Sequence, residues 1–215
     1  MDKCRVGIVI PAFNESATIV DIVEAVSRYG VPIVVDDGSM DCTGALALKS
    51  GAVVVVHKEN RGYDEALNSG FKKAAELGSE IIITVDADGQ HNPLFIEKFI
   101  AEIDLGVDLV VGVRNKRQRF AEHLFAWYTC LRFGISDPLC GMKAYRTSVY
   151  AKLGYFDSYE SVGTQLMIFA AKRKYHIGQV SFKVRERADE SRFGKIISAN
   201  LKIIRAMLIS IWSVE

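Results

Sequence analysis

The 215 residues suffice for one globular domain, and 49% hydrophobic with 25% charged residues exclude a disordered or fibrous chain. No apolar run reaches the ~18 residues that a membrane-spanning helix needs, and we expect no signal peptide ahead of the first apolar run. The net charge of +1 conceals a division, because residues 1–110 carry −9 and residues 111–215 carry +10. An acidic half suits metal ions and a basic half suits phosphate groups or an anionic membrane, although ordinary scatter of surface charge would give the same split.

Short apolar runs alternate with amphipathic stretches throughout the first half. Apolar residues recur at helical spacing from position 19 to position 26 and over residues 66–77, and Asn92-Pro93 begins a further helix. The predicted strands span residues 6–10, 31–35, 52–56, 80–85 and 108–113. Because each predicted strand is apolar throughout and helices alternate with strands, the pattern indicates a mostly parallel sheet covered on both faces. Ligands of such sheets bind beyond the carboxyl ends of the strands.

Helices and strands continue in the second half at looser spacing. The predicted elements are a helix over 120–133, a strand over 142–146, a helix over 163–174, a strand over 177–184 and a helix over 194–214. The last helix has apolar residues at i, i+4 spacing among basic ones. We therefore predict one domain over residues 1–195 and a C-terminal amphipathic helix over residues 196–215.

The four cysteines, at positions 4, 42, 130 and 140, contain no Cys-x-x-Cys pair, which makes a zinc site unexpected. A disulfide framework is unusual for a domain of this size, because such a domain has its own apolar core. The cysteines therefore indicate reduced thiols in a cytoplasmic protein.

Two carboxylates follow the fourth predicted strand at Asp86 and Asp88, with Gly89 and Gln90 directly after them. Gly89 permits a tight turn, which lets both carboxylates approach one small cation. Mg²⁺ in proteins takes one or two carboxylates with phosphate oxygens and water, and Gln90 adds a neutral oxygen. A solvated turn is the other interpretation of an isolated Asp-x-Asp. The position between an apolar strand and an Asn-Pro helix start favours the cation.

Polar residues also follow the first two predicted strands. Asp36-Asp37-Gly38-Ser39 places two adjacent acids at a strand end, where a ligand or a donor must offset their repulsion. We assign Asp37 to a base or a ribose hydroxyl and Asp41 to the cap of the next helix. Residues 11–16 lie beside the same predicted cleft. Neither a Gly-x-Gly-x-x-Gly nor a Walker sequence is present, which disfavours a nicotinamide-type site and a P-loop ATPase.

Five motifs follow one another along the chain: Pro-Ala-Phe-Asn-Glu, Asp-Asp-Gly-Ser, Asn-Arg-Gly, Asp-Ala-Asp-Gly-Gln-His and, at residues 137–142, Asp-Pro-Leu-Cys-Gly-Met. In this order they resemble the inverting glycosyltransferases of family 2, which have the GT-A fold. Among these, the chain is most similar to dolichyl- or polyprenyl-phosphate mannose and glucose synthases, over about residues 5–195. The resemblance implies a Rossmann-like, mostly parallel sheet flanked by helices. It also implies transfer of a hexose, with inversion, from a GDP- or UDP-linked sugar to a polyprenyl or dolichyl phosphate.

The resemblance further implies roles for individual residues. The nucleotide would lie against Pro11, Ala12, Asn14, Glu15, Asp37 and Asp86. Asp86, Asp88 and Gln90 would bind Mg²⁺ or Mn²⁺ with the diphosphate. Arg114 would face the sugar or the acceptor phosphate, and Asp137 precedes an acceptor-side turn. The implied catalytic residues are Asp86, Asp88, Arg114 and Asp137. The acceptor phosphate would meet Arg117, Arg185, Arg187, Ser191, Arg192 and Lys195. Gln165 stands where many relatives carry an acidic residue.

The chemistry of the acceptor decides whether a general base is needed. A lipid monophosphate, with a second pKa of about 6, is already ionised at neutral pH and requires only positioning. A hydroxyl acceptor requires a base, for which Asp137 is the candidate. The basic second half favours the phosphate, whereas transfer to a glycan or other hydroxyl and a non-catalytic nucleotide-binding module stay open. A nucleotidyltransferase is disfavoured, because no Gly-rich basic loop follows the first strand.

The C-terminal helix combines an apolar stripe, basic residues and Trp212, a composition typical of helices that lie in a membrane interface. Packing of the helix on the domain, or in a dimer, would explain the same stripe. We expect a cytoplasmic protein bound peripherally at a membrane surface. Its expected partners are a nucleotide sugar and a polyprenyl phosphate, without nucleic acid, and a homo-oligomer stays open.

Overall fold

The computed structural model describes residues 5–89, 92–117, 119–183 and 196–212. The strands of these residues are β1 Val6–Ala12, β2 Val31–Asp36, β3 Val53–Val56, β4 Ile81–Thr84, β5 Leu109–Arg114, β6 Lys143–Arg146 and β7 Ile177–Phe182. The helices are α1 Ile19–Val26, α2 Thr43–Lys49, α3 Tyr63–Glu76, α4 Ile96–Asp104, α5 Phe120–Phe133, α6 Thr147–Leu153, α7 Gln165–Lys172 and α8 Ile196–Trp212. A 3₁₀ turn at Pro93–Phe95 precedes α4.

The predicted elements are confirmed in type and differ mainly at their ends. The helix predicted from residue 66 begins at Tyr63, because Gly62 turns the chain with a φ of 91° before the apolar pattern starts. Asn92 caps the next helical segment as expected, since its side chain accepts a hydrogen bond of 3.1 Å from the N–H of Leu94. The helix α6 was not among the predictions.

The strands form one sheet in the order β3-β2-β1-β4-β6-β5-β7. Neighbours are parallel except at β6, which is antiparallel to both β4 and β5. The expected mostly parallel sheet is therefore confirmed. Thr84, the last residue of β4, pairs with Lys143, the first residue of β6. The segment that precedes β6 consequently lies at the carboxyl end of β4.

Helices cover both faces of the sheet, as the alternation of side chains along the strands requires. Ile8 and Ile10 of β1 lie in one buried cluster with residues of α1 and α4. Val9 lies in a second cluster with residues of α3 and α7. Gly70 allows α3 to approach closely, because a Cβ at this position would lie 2.2 Å from Cγ1 of Val9. With both faces buried, the carboxyl edge of the sheet is left for ligands.

The C-terminal helix α8 packs against α5. Ala121 and Phe125 of α5 share a buried cluster with Ile203, Ala206 and Met207 of α8. One face of α8 therefore packs on the rest of the chain, while the other sides of both helices carry exposed apolar residues. Within the described ranges, no helix is both long and apolar enough to cross a membrane.

Candidate active site

The loops that follow β1 and β2 are joined by hydrogen bonds. The N–H of Asn14 donates to Oγ of Ser39 at 2.9 Å, and the N–H of Glu15 donates to Oγ1 of Thr43 at 2.8 Å. Asn14 has a φ of 53°, a left-handed conformation that asparagine tolerates better than most residues. The sequence-predicted nucleotide residues Pro11, Ala12, Asn14 and Glu15 all lie in the segment that these bonds hold at the sheet edge.

Asp37 is buried, and its carboxylate accepts three hydrogen bonds from the protein. Oδ1 accepts from Nδ1 of His57 at 2.6 Å and from the N–H of Arg61 at 2.9 Å, and Oδ2 accepts from the N–H of Gly62 at 2.8 Å. Nε2 of His57 lies 2.9 Å from Oγ of Ser69 in α3. His57 and Ser69 were not among the predicted site residues, although the place of His57 directly after β3 marks it as a residue of this edge. Asp37 thus holds the loop that leads into α3.

Asp86 and Asp88 lie on the turn after β4 and are both partly exposed. Oδ1 of Asp86 accepts a hydrogen bond of 3.2 Å from the hydroxyl of Tyr63, and Oγ1 of Thr18 donates to the carbonyl of Ala87 at 2.7 Å. The described residues contain no group of three His, Cys, Asp or Glu side chains suited to a metal ion. Two carboxylates on one turn nevertheless match the donor set that Mg²⁺ takes together with phosphate oxygens and water. Gln90, the third predicted ligand, lies outside the described residues.

The turn before β6 contacts the Asp86 carboxylate directly. A Cβ at Gly141 would lie 2.0 Å from Oδ2 of Asp86, so any other residue at this position would displace the carboxylate. The carbonyl of Gly141 accepts a hydrogen bond of 2.5 Å from Oγ1 of Thr84, which fixes the turn to the end of β4. The two motifs that contain Asp86 and Gly141, more than fifty residues apart in the chain, therefore meet at one point.

Arg114 and Asp137 form a buried ion pair on the neighbouring side of the edge. Asp137, with 1% of its surface exposed, accepts from Nε, Nη2 and the backbone N–H of Arg114 at 2.8, 2.9 and 3.0 Å. Burial lowers the pKa of Arg114, but its bonds to Asp137 outweigh that effect and the net shift is upward. Glu122 lies 3.4 Å from Nη2 of the same guanidinium. Asp137 is thus committed to holding Arg114.

A cavity of about 390 Å³ opens beside Arg114 at the carboxyl ends of β5 and β7. Phe95 and Phe182, whose ring centroids are 5.2 Å apart, form part of its apolar wall. Lys183 adds a basic group to its lining, and Arg114, whose charge is balanced by Asp137, lies beside it. The cavity therefore combines an apolar surface with a basic side chain, a combination that suits an amphiphilic anion.

Some of the remaining predicted residues lie within the described ranges, and others lie outside them. Nη2 of Arg117 donates to the carbonyl of Ser136 at 2.6 Å, which places its guanidinium against the connection that carries Asp137. Gln165 is buried, and its Oε1 accepts from the N–H of Ser158 at 2.6 Å, a structural contact. The acceptor-phosphate candidates Arg185, Arg187, Ser191, Arg192 and Lys195 lie outside the described residues.

Two titratable groups are buried behind the Gly141 turn. Burial, with a contribution from Asp137, raises the pKa of the Cys140 thiol to about 12, so the thiol stays protonated and unreactive. Burial lowers the pKa of Lys143, whose Nζ donates to the carbonyl of Gly163 at 2.9 Å. Cys42, Cys130 and Cys140 are all free thiols, in agreement with the expected reduced state.

Comparison with solved structures identifies the fold. Glucosyl-3-phosphoglycerate synthase from Mycobacterium tuberculosis, crystallised with Mn²⁺, UDP and phosphoglyceric acid, superposes with a TM-score of 0.79 at 24% identity. The superposition covers 98% of this chain and 79% of that protein. The same synthase bound to UDP alone gives a TM-score of 0.78. The expected GT-A fold is therefore confirmed.

Sequence comparison identifies relatives with a named activity. The chain is 29% identical over 211 residues to the UDP-N-acetylglucosamine–dolichyl-phosphate N-acetylglucosaminyltransferase of Methanococcus voltae, covering 82% of this chain and 84% of the relative. It is 33% identical over 171 residues to the polyprenol monophosphomannose synthase of Mycolicibacterium smegmatis, covering 69% and 64%. The family model described as "Glycosyl transferase family 2" matches residues 7–154. The chain belongs to glycosyl transferase family 2.

Proposed function

We propose that this glycosyltransferase moves a hexose, with inversion, from a nucleotide sugar to a polyprenyl phosphate of the dolichyl type. The observation that carries the proposal is the meeting of two chemistries at one sheet edge. The Asp86–Asp88 turn supplies carboxylates on one side, and the cavity beside Arg114 supplies the basic Lys183 next to apolar side chains on the other. The first side suits a metal-bound diphosphate and the second suits a lipid phosphate.

The donor side is supported by the chemistry of its residues. Asp86 and Asp88, with Gln90, would hold Mg²⁺ or Mn²⁺ against the diphosphate, and the metal would stabilise the charge that develops on the leaving group. The loops after β1 and β2 would bind the nucleoside through Pro11, Ala12, Asn14, Glu15 and Asp37. The fold neighbour from Mycobacterium tuberculosis was crystallised with Mn²⁺ and UDP-glucose, which fits this proposal.

The acceptor side is supported by the pairing of Asp137. In the proposed step an oxygen of the acceptor phosphate attacks the anomeric carbon, the bond from that carbon to the diphosphate breaks, and the electron pair leaves with the nucleoside diphosphate. An ionised phosphate loses no proton in this step, so no general base is needed. Asp137, buried and bonded three times to Arg114, suits a structural task better than proton transfer. Lys183 would attract the phosphate, and Arg114, oriented by Asp137, would face it.

Transfer to a hydroxyl is the second candidate, because the fold neighbour makes glucosyl-3-phosphoglycerate. The two candidates share the donor half of the site and differ in the need for a base. The pH profile distinguishes them: phosphate transfer should stay active down to about pH 6, where the acceptor begins to protonate, while hydroxyl transfer should follow the titration of a protein base.

We further propose that the exposed side of α5 and α8 lies on an anionic membrane. The chain has two tryptophans, and both are exposed on these helices, Trp127 of α5 with 64% and Trp212 of α8 with 79% of its surface exposed. The other exposed apolar residues of the two helices are Phe120, Leu131, Leu201, Leu208 and Ile211. Tryptophan at such a surface favours the membrane interface.

The charge of the two helices supports the same orientation. Residues 196–212 contain no Asp or Glu, and the only acid of α5, Glu122, is buried. The exposed cations Arg132 and Lys202 are therefore not balanced by acids of α5 or α8 that face solvent, whereas Arg205 lies 4.0 Å from Glu160. A basic, apolar surface is attracted to anionic lipids by both charge and burial. As a peripheral, cytoplasmic protein on that membrane, the enzyme would reach a polyprenyl phosphate that is held in it.

The transfer reaction is tested with short-chain polyprenyl phosphate and labelled UDP- or GDP-hexoses in Mg²⁺, Mn²⁺ or EDTA. We expect lipid-linked sugar of inverted configuration from one donor class, only with metal. Asp88→Asn should abolish transfer without changing the melting temperature, whereas Glu24→Gln, exposed on α1, should behave as wild type. Full activity of Asp88→Asn would refute the metal assignment. If the protein binds the nucleotide but transfers sugar to neither a phosphate nor a hydroxyl acceptor, the alternative of a non-catalytic nucleotide-binding module is supported.

The membrane surface is tested by vesicle flotation and by tryptophan emission. Phosphatidylglycerol vesicles should float the protein and shift its emission to the blue, and phosphatidylcholine vesicles should do neither. Replacing Trp212 and Leu208 by alanine should abolish flotation, while Leu105→Ala, with 81% of Leu105 exposed after α4, should not. Equal non-binding of wild type and variant would refute the proposal.

A further inference from the structure

The loop of residues 160–163, which precedes α7, has an unusual backbone. Glu160, Val162 and Gly163 have φ values of 56°, 57° and 70°. Positive φ is rare outside glycine and is strained for a β-branched residue such as valine. Such conformations persist only where surrounding contacts enforce them, and they are concentrated at functional sites.

Contacts from two different elements enforce this conformation. Asp64, in the first turn of α3, accepts from the N–H of Gly163 at 2.6 Å through Oδ1 and from the N–H of Val162 at 3.1 Å through Oδ2. Lys143 of β6, with 4% of its surface exposed, donates to the carbonyl of Gly163 at 2.9 Å. A half-buried carboxyl group and the buried amino group of Lys143 are thus both used to fix one short loop. A loop with no task beyond connection would not require two such groups.

The loop in turn lies against Tyr63. A Cβ at Gly163 would be 3.3 Å from Cε1 of Tyr63, so the glycine backbone packs closely on the ring. The hydroxyl at the other end of this ring donates to Oδ1 of Asp86 at 3.2 Å. Tyr63 therefore stands between the 160–163 loop and the carboxylate that we assign to the metal and the ribose.

We infer that Tyr63 is a positioning residue for Asp86, and that Asp64 and Lys143 act through the 160–163 loop to hold the Tyr63 ring in place. The inference rests on the proposed function, because it takes Asp86 as a metal ligand. Tyr63 fixes one oxygen of the carboxylate by a hydrogen bond, and Gly141 limits the space of the other. A carboxylate restrained from two sides is oriented before the metal and the diphosphate arrive.

The test is the Mn²⁺ dependence of nucleotide binding in Tyr63→Phe. Wild type and variant are melted with saturating UDP or GDP over a series of Mn²⁺ concentrations, and in EDTA. Loss of one hydrogen bond to a charged group should raise the half-saturating Mn²⁺ concentration about tenfold. The melting temperature without ligand, and the shift in EDTA, should stay at the wild-type values. Tyr29→Phe, at the opposite edge of the sheet before β2, is the matched control and should change none of these quantities.

Asp64→Asn tests the loop. The two N–H groups donate to different oxygens of Asp64, and an amide presents an NH2 group to one of them, so the loop should loosen and the half-saturating Mn²⁺ concentration should rise as in Tyr63→Phe. The double variant should show no larger rise than Tyr63→Phe alone, because both changes act through the same hydroxyl. An unchanged Mn²⁺ dependence of Tyr63→Phe, in a wild type that does require metal, would overturn the inference and leave the proposed function standing. A wild type without metal-dependent nucleotide binding would overturn both.

Discussion

Gly141→Ala is the substitution whose effect follows most directly from the structure. The added Cβ would lie 2.0 Å from Oδ2 and 2.6 Å from Cγ of Asp86. Gly141 itself is fixed, because its carbonyl accepts from Thr84 and its neighbour Lys143 pairs within the sheet. The Asp86 side chain must therefore move. Ordinary contact begins at 3.4 Å, so the carboxylate has to retreat by about 1.4 Å.

A displacement of this size should break the bond to Tyr63 and misplace the proposed metal ligand. Misplacement by about 1 Å costs on the order of 100-fold in rate, so we expect kcat/KM of Gly141→Ala to fall at least about 100-fold. The loss is measured by steady-state transfer of labelled sugar to short-chain polyprenyl phosphate. Gly178→Ala in β7 is the control, because its Cβ would approach the side chain of Val107 no closer than 3.2 Å.

The clash itself can be separated from a general loss of structure. Asp86→Ala removes the three atoms that the new Cβ would meet, so it should restore the melting temperature of Gly141→Ala without restoring activity. Wild-type activity in Gly141→Ala, at a wild-type melting temperature, would refute the reasoning, because the glycine would then not be required beside Asp86.

The other predictions concern the backbone, a carboxyl group and a histidine. Val162→Gly should exceed Val162→Ala by about 1 kcal/mol in the free energy of urea unfolding, since only glycine adopts a φ of 57° without strain; equal values would show a relaxed backbone. Burial, with the nearby Asp157 carboxylate, raises the pKa of Asp64 to about 7, so the folded state retains a proton that the unfolded state releases near pH 4. Thermal melts of wild type should therefore lose stability relative to Asp64→Asn as the pH rises from about 4 to about 7, and a constant difference would contradict the raised pKa. His57→Ala removes the side-chain donor of Asp37, which keeps the N–H groups of Arg61 and Gly62, and should cost about 2 kcal/mol in urea unfolding while weakening nucleoside diphosphate binding; an unchanged midpoint would show that another donor replaces the imidazole.

Much of the fold was predictable, because the strands of a covered parallel sheet are continuous apolar runs and are easily distinguished from amphipathic helices. The strand-end rule then located Asp37, Asp86 and Asp88 at one edge. The ends of elements were less predictable. The start of α3 at Tyr63 depends on the turn at Gly62, which carries no apolar signal.

The contacts within the site were not predictable from the sequence, because they join residues that are distant along the chain. The ion pair of Arg114 with Asp137 changed the interpretation of Asp137 from a candidate base to a structural partner. Gly141 contacts Asp86 because β6 is antiparallel to its neighbours in the sheet. No local sequence pattern indicates that direction. In the sequence, His57 is only a single polar residue after a strand. Its bonds to Asp37 and Ser69, which the structure shows, place it at the site.

The reversed direction of β6 also limits how the length of this chain can vary. Residues that follow a parallel strand leave the sheet edge, so a longer loop there adds chain beyond the site. Residues before β6 lie at this edge instead. Because Thr84 pairs with Lys143, the number of residues between Gly141 and Lys143 determines where Gly141 lies. An inserted residue between Gly141 and Lys143 would carry the glycine away from Asp86 and turn a different side chain toward it. We therefore expect that an insertion at these positions is not tolerated.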